Sequence, residues 1–186
     1  MFIQTEETPN PGTLKFLPGR DVMATGVADF TSVEGAKRSP LAFILFGIAG
    51  VKGVFLGQDF VTVTKSDEKS WQTLKPMILG AIMDHYTSGH PVIVDAAPTG
   101  ESEEFNDGIG PEIVSQIKEL IETRVRPAVA QDGGDIIYKG FKEGTVYLHM
   151  RGSCAGCPSS TATLKMGIEN MLRHYVPEVL QVEAIN

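Results

Sequence analysis

The feature that most restricts what this chain can fold into is a gap in its hydrophobic pattern. Between Val94 and Gly110 the apolar periodicity stops, and residues 95–110 read Asp-Ala-Ala-Pro-Thr-Gly-Glu-Ser-Glu-Glu-Phe-Asn-Asp-Gly-Ile-Gly, dominated by acidic and small side chains. Such a stretch has the composition of a linker. A chain of 186 residues interrupted there is expected to form two small domains, each closing its own core. The expected division is residues 1–96, an acidic linker over 97–109, and residues 110–186. The first part carries 8 basic and 10 acidic groups, and residues 97–186 carry 8 and 13, so most of the net charge of −7 lies in the second half.

Both halves read as α+β. In the first, Phe2 to Thr5 and Thr13 to Phe16 alternate as short strands around the turn-rich Thr8-Pro9-Asn10-Pro11-Gly12. Ser39-Pro40 has the chemistry of an N-cap and first helical residue ahead of a short buried helix, Leu41 to Ile48. Val51 to Leu56 and Phe60 to Thr64 predict two strands joined by Gly57-Gln58-Asp59. Trp71, Leu74, Met77, Ile78, Ala81, Ile82, His85 and Tyr86 then mark one face of a helix over about 70–88, ended by Gly89. In the second half Pro111 opens a helix with Ile113, Val114, Ile117, Leu120 and Ile121 on one face, and Pro127 is expected to stop it. Strands over Asp135 to Gly140 and Thr145 to Met150 follow, then a helix carrying Leu164, Ile168, Met171, Leu172 and Tyr175, then a strand over Val179 to Ala184. The order α-β-β-α-β predicts a three-stranded sheet backed by two helices.

The chemistry of this chain is concentrated in its only two cysteines, Cys154 and Cys157. Two cysteines placed at random would have this spacing about once in a hundred chains of this length, so the pair invites a chemical reading. Two cysteines are too few for a disulfide scaffold. The segment Arg151-Gly-Ser-Cys-Ala-Gly-Cys-Pro-Ser-Ser-Thr161 falls between a predicted strand and a predicted helix. A two-residue gap turns both sulfurs to one side of a tight loop, and Gly152, Ala155 and Gly156 leave room beside the backbone. Unpaired N–H groups at the helix start are expected to favour thiolate over thiol.

Two thiolates are half of a usual tetrahedral zinc or iron–sulfur ligand set. None of His85, His90, His149 and His174 has ligand spacing to the pair. Completion by a second copy of the chain, four cysteines from two subunits around one 4Fe-4S cluster, answers the count. The same loop also suits a thiol–disulfide oxidoreductase, although no aromatic precedes Cys154 and the βαβ start of a thioredoxin-like fold is missing. A zinc clip shared by two chains and a chemically idle pair are the remaining readings, and plain turn geometry accounts for Gly152 and Gly156 as well.

On these residues the chain resembles NifU-like iron–sulfur scaffold proteins of the Nfu type. The resemblance runs through Arg124-Val-Arg-Pro127, Gln131-Asp-Gly-Gly-Asp135 and Gly152-Ser-Cys-Ala-Gly-Cys-Pro158 with Ser159-Ser-Thr161 and Leu164. In the first half it runs through Thr8-Pro-Asn-Pro11, Thr13-Leu-Lys-Phe16, Ser39-Pro-Leu41 and Val54-Phe-Leu-Gly57. It implies a homodimer bridging a 4Fe-4S cluster through Cys154 and Cys157, upstream cluster donors, and delivery to apo iron–sulfur client proteins rather than turnover of a substrate. It also implies a bacterial cytoplasmic member, or a matured form from the mitochondrial matrix, since Met1 to Asn10 carries Glu6 and Glu7 and no basic presequence.

Charge and hydropathy exclude other classes. A net charge of −7 argues against nucleic acid. The most apolar run, Leu41 to Phe55, is broken by Gly47, Gly50, Lys52 and Gly53 and is too short for a membrane span. Asp132 and Asp135, around Gly133-Gly134, read as turn caps rather than a catalytic carboxylate pair. Arg124 and Arg126 read as complements of a helix dipole, with contact to the cysteine loop or to the dimer partner as the sharper alternative. Met166, Met171 and Trp71 read as core residues.

Overall fold

A computed structural model describes residues 1–94, 104–156 and 158–185, with the side chains of residues 158–160 left aside. The chain divides into two compact units, Met1–Thr99 and Gly100–Asn186. The α+β class expected from sequence holds in both.

The first unit is a five-stranded antiparallel sheet. Strands β1 (Gln4–Glu7), β2 (Thr13–Leu17), β3 (Ala28–Phe30), β4 (Val51–Leu56) and β5 (Val61–Lys65) lie in the order β1-β2-β5-β4-β3. Helices α1 (Val33–Ala36), α2 (Pro40–Phe46) and α3 (Trp71–Ser88) complete it. Strand β3 and helix α1 were not legible in the sequence, because three or four residues are too few to show a period. The core is built by Phe16, Phe30, Leu41, Leu45, Leu56, Ile78 and Ile82, all at most 1% exposed. Ser39 caps α2 as its sequence suggests: its hydroxyl accepts from Ala42 N at 3.1 Å and donates to Val92 O at 2.6 Å. Gly89 ends α3 in the left-handed region, φ 71°. Trp71 only borders the core, with its indole N–H donating to Pro11 O at 3.0 Å, so that it also fastens the Pro-Asn-Pro loop.

The second unit begins with a strand where the sequence suggested only linker. Residues 97–103 of the expected linker lie outside the described residues, but β6 (Phe105–Asp107) pairs in parallel with β7 (Gly134–Lys142). The strand was hidden because its pattern carries one apolar residue in three, and it is held by specific contacts rather than by burial of alternate residues. Phe105 lies over Gly140, where any Cβ would collide with its ring and carbonyl, and its ring meets that of Tyr147 at 5.2 Å. Asn106 accepts from Tyr138 OH at 2.5 Å, and Glu104 pairs with Lys118 at 2.6 Å. Strand β8 (Thr145–Gly152) is antiparallel to β7, and β9 (Gln181–Ile185) runs parallel to β8 after helix α6 (Pro158–Tyr175). The sheet order is β6-β7-β8-β9, one strand more than α-β-β-α-β predicts.

The leading helix also differs from expectation, since Pro127 does not stop it. Helix α4 (Pro111–Leu120) passes through a π-helical turn, Ile121–Val125, into α5 (Arg126–Gln131). The Arg126 N–H donates to Ile121 O, five residues back. Pro127 therefore falls in the first turn of a re-started helix, where its missing N–H costs little. Ile117, Ile121, Val125 and Val129 are all buried, three successive steps of four residues. Each step overruns a regular α-helical turn by about 40°, and the wider turn takes up that excess.

Candidate metal centre

Cys154 sits in the loop between β8 and α6, and the loop is built against the start of β7. The register sets Gly134 opposite Gly152 and Asp135 opposite Arg151. This brings the Gly133-Gly134 turn directly beneath the cysteine. A Cβ at Gly134 would collide with Cys154 Sγ and come within 3.0 Å of both Cys154 N and Arg151 O. Glycine is required here by close approach: the sulfur occupies the space that a side chain would take. Gly156, between the two cysteines, answers a different need. Its φ is 78° and nothing lies within 4 Å of where its Cβ would be, so turn geometry alone selects glycine there.

Hydrogen bonds tie the loop down. Ser153 N donates to Gly133 O at 3.2 Å, Ser153 Oγ donates to Asp132 O, and Thr161 Oγ1 of α6 donates to Cys154 O at 3.1 Å. Beneath them lies a buried ion pair. The Arg126 guanidinium grips Asp135 with both arms, Nε to Oδ1 at 2.8 Å and Nη2 to Oδ2 at 3.1 Å, while Nη1 reaches Glu122 at 2.7 Å. Asp135 is 3% exposed. It is therefore no turn cap, as the sequence suggested, but the buried anchor of the turn on which Cys154 rests. Arg126 binds Asp135 and Glu122, so it bears on the cysteine loop only through the turn that Asp135 anchors, and its guanidinium is pushed to still higher pKa, chiefly by the hydrogen bond to Asp135. Arg124 instead lies over the Tyr175 ring at 5.0 Å. Met171 packs against the core, whereas Met166 is exposed.

The electrostatics of Cys154 run opposite to the expectation from the helix start. The thiol is buried, 6% exposed, and burial pushes its pKa up to about 12; a hydrogen bond involving Ser153 opposes this, while Asp132 and Asp135 reinforce it. Loss of hydration is the largest influence on the thiol. In this conformation Cys154 is a protonated, parked thiol, and any metal that takes it must displace the proton. Cys157, the other cysteine of the pair, lies outside the described residues. Among the described residues no three His, Cys, Asp or Glu side chains converge as a metal site. His149 lies on β8, His174 near the end of α6, and His85 in the core of the first unit.

Known proteins match both units. A family model described as "Scaffold protein Nfu/NifU N terminal" covers residues 3–89, and one described as "NifU-like domain" covers residues 117–183. The chain is 53% identical over 186 residues to "NFU1 iron-sulfur cluster scaffold homolog, mitochondrial" of Homo sapiens, a match spanning 100% of this chain and 72% of that protein. It is 55% identical over 185 residues to "NifU-like protein 4, mitochondrial" of Arabidopsis thaliana, spanning 98% of this chain and 65% of that protein. It thus covers about two thirds of the plant relative's length. A solution structure of a NifU-like protein from Saccharomyces cerevisiae is 27% identical, with a TM-score of 0.46 over 50% of this chain and 84% of that one.

Proposed function

The chain belongs to the Nfu/NifU family of iron–sulfur cluster scaffold proteins, and from that premise we propose that two copies hold one 4Fe-4S cluster through Cys154 and Cys157 of each and hand it to apo-proteins. The observation that carries this reading is the seat of Cys154. A thiol is held at a strand-to-helix loop, on a glycine that leaves it room, in a chain with one other cysteine three residues further on. Half a ligand set per chain makes cluster loading and dimer formation a single equilibrium. It also makes the cargo releasable, because a client's thiolates can replace Cys154 and Cys157 one at a time.

On this reading the protein is a carrier and not an enzyme: the cluster is cargo, taken up and passed on with its atoms intact. Uptake releases the Cys154 proton, and the loop must turn the sulfur away from Gly134 toward the ligand. The family match favours the carrier over the thiol–disulfide oxidoreductase alternative, since either role requires the Cys154 sulfur to leave its buried seat. The names of the two relatives, both mitochondrial, support the organellar placement over the bacterial cytoplasmic one. No described helix is long and apolar enough to cross a membrane.

Anaerobic reconstitution with iron and sulfide tests the proposal. The expected product is a brown dimer with about four irons, lost in Cys154→Ala and in Cys157→Ala. A chain that stays monomeric and colourless overturns it, and a colourless dimer containing zinc establishes the shared zinc clip instead.

A further inference from the structure

Cys154 is held from two sides. On the sheet side the hold comes through its neighbour Ser153, itself buried, whose N–H donates to Gly133 O at 3.2 Å and whose hydroxyl donates to Asp132 O. On the helix side it is direct, Thr161 Oγ1 donating to Cys154 O at 3.1 Å. This is not the bond that a place in a helix provides. A helical threonine ordinarily returns its hydroxyl to a carbonyl three or four residues back, as Thr87 does to Met83 O at 2.8 Å and Thr123 to Glu119 O at 2.7 Å. Thr161 instead reaches seven residues back, out of α6 and across the Cys-x-x-Cys loop.

Both polar atoms of the peptide group that follows Cys154 are thereby engaged: its oxygen by Thr161, and its nitrogen, Ala155 N, by Gly152 O at 3.1 Å. With Ser153 held below and this peptide group held above, the side chain of Cys154 keeps one free torsion, χ1, with three staggered positions. In the observed one the sulfur fills the space beside Gly134. It can leave that seat by a turn about a single bond, without refolding of the loop. A ligand that takes the sulfur then finds a backbone already ordered, and the entropy of ordering it is not lost again on binding.

We infer that Thr161 is a positioning residue for the metal centre: its hydroxyl holds the backbone of Cys154 while the sulfur turns, and so prolongs the residence of a cluster bound there. The inference rests on the carrier reading for the cluster; the hold on the backbone is measured without one. The full-length chain is compared with Thr161→Ala, which removes the hydroxyl and favours the helix, and with Thr161→Ser, which keeps the hydroxyl. In the apo chain, amide hydrogen exchange at Ala155 is expected to rise about fivefold in Thr161→Ala, the contribution of one neutral hydrogen bond. Exchange at Leu148, in the core of β8, rises by less, because the helix gains part of what the loop loses. After anaerobic reconstitution, cluster absorbance is expected to be lost to an excess of iron chelator faster by about the same factor, and Thr161→Ser stays near the parent in both measurements. Unchanged exchange at Ala155, an equal rise at Leu148, or a Thr161→Ser variant as impaired as Thr161→Ala overturns the inference. So does faster exchange at Ala155 with an unchanged rate of cluster loss. A parent chain that takes up no iron while Ala155 responds as expected refutes the carrier reading alone, and one that loads iron while Ala155 is indifferent to the hydroxyl refutes the positioning role alone.

Discussion

Replacing Arg126 by methionine removes the guanidinium and keeps most of the side chain's bulk. The Asp135 carboxylate, its side chain 5% exposed, then loses both arms of its partner while remaining in the protein interior. Breaking a buried pair from one side costs about 3–5 kcal/mol. The third arm adds little, because Glu122 is 65% exposed and surface pairs contribute at most about 1 kcal/mol. For a unit of this size a loss of about 3 kcal/mol lowers the melting temperature by at least about 12 °C. The chain contains its own control: Trp71 is its only tryptophan and belongs to the first unit. Thermal unfolding followed by far-ultraviolet circular dichroism is expected to show one early transition in Arg126→Met, while the tryptophan fluorescence transition stays in place. The double variant Arg126→Met/Asp135→Leu removes both charges and is expected to recover most of the loss. A single variant destabilised by less than about 1 kcal/mol, or a double variant no better than the single, refutes the argument that this ion pair anchors the cysteine turn.

Three further outcomes are expected. Gly134→Ala, which drives a methyl into Cys154 Sγ and against two backbone atoms, lowers stability by about 1–3 kcal/mol, and Gly156→Ala, at a left-handed glycine, costs about 1–2 kcal/mol; thermal melts of the two variants check both. Tyr138 is pushed up to about 12, first by burial and then by Glu104, so above pH 10 the unfolded chain ionises while the folded one does not. Tyr138 then takes about 1.4 kcal/mol per pH unit from the stability of the second unit up to pH 12, on top of a loss in the same direction from the buried Cys154 thiol, and in alkaline urea titrations Tyr138→Phe makes the decline shallower by that amount. His85 is 1% exposed, neither ring nitrogen has a hydrogen-bond partner among the described residues, and burial, with a smaller contribution from His90, lowers its pKa below 6.5. The first unit therefore loses stability as pH falls below 6.5 until His85 protonates in the folded state, and His85→Leu is expected to abolish that decline in Trp71 fluorescence melts.

How much could be read from the sequence depended on whether a residue's role was repeated or singular. Long apolar faces such as Leu74, Ile78 and Ile82 announced themselves by period, as did the capped entry to α2 at Ser39-Pro40. Cys154 was found by spacing alone. Its supports were not: Asp135 and Arg126 are nine residues apart and meet only because a helix and a strand converge, and no local pattern encodes that. Gly134 looked like a turn residue, and its purpose emerges only when β7 is laid against β8 and the sulfur is seen to fill its missing side chain. The direction of the Cys154 shift was misjudged because a helix start is visible in sequence and desolvation is not. Strand β6 escaped because its hold on β7 comes from Asn106, Phe105 and Glu104 acting once each.

The π-helical turn at Ile121–Val125 bears on how this protein tolerates change in length. Deleting one residue there would give a more regular helix with better local hydrogen bonding, yet it would rotate everything beyond by about 100°. Val125 and Val129 would leave the core, and Arg126 would swing away from Asp135. Substitutions at Thr123, whose hydroxyl merely bonds back to Glu119 O at 2.7 Å, leave that phase untouched. What this segment must preserve is a residue count, and a single-residue insertion or deletion between Leu120 and Pro127 reaches the cysteine loop through the lost Arg126–Asp135 pair.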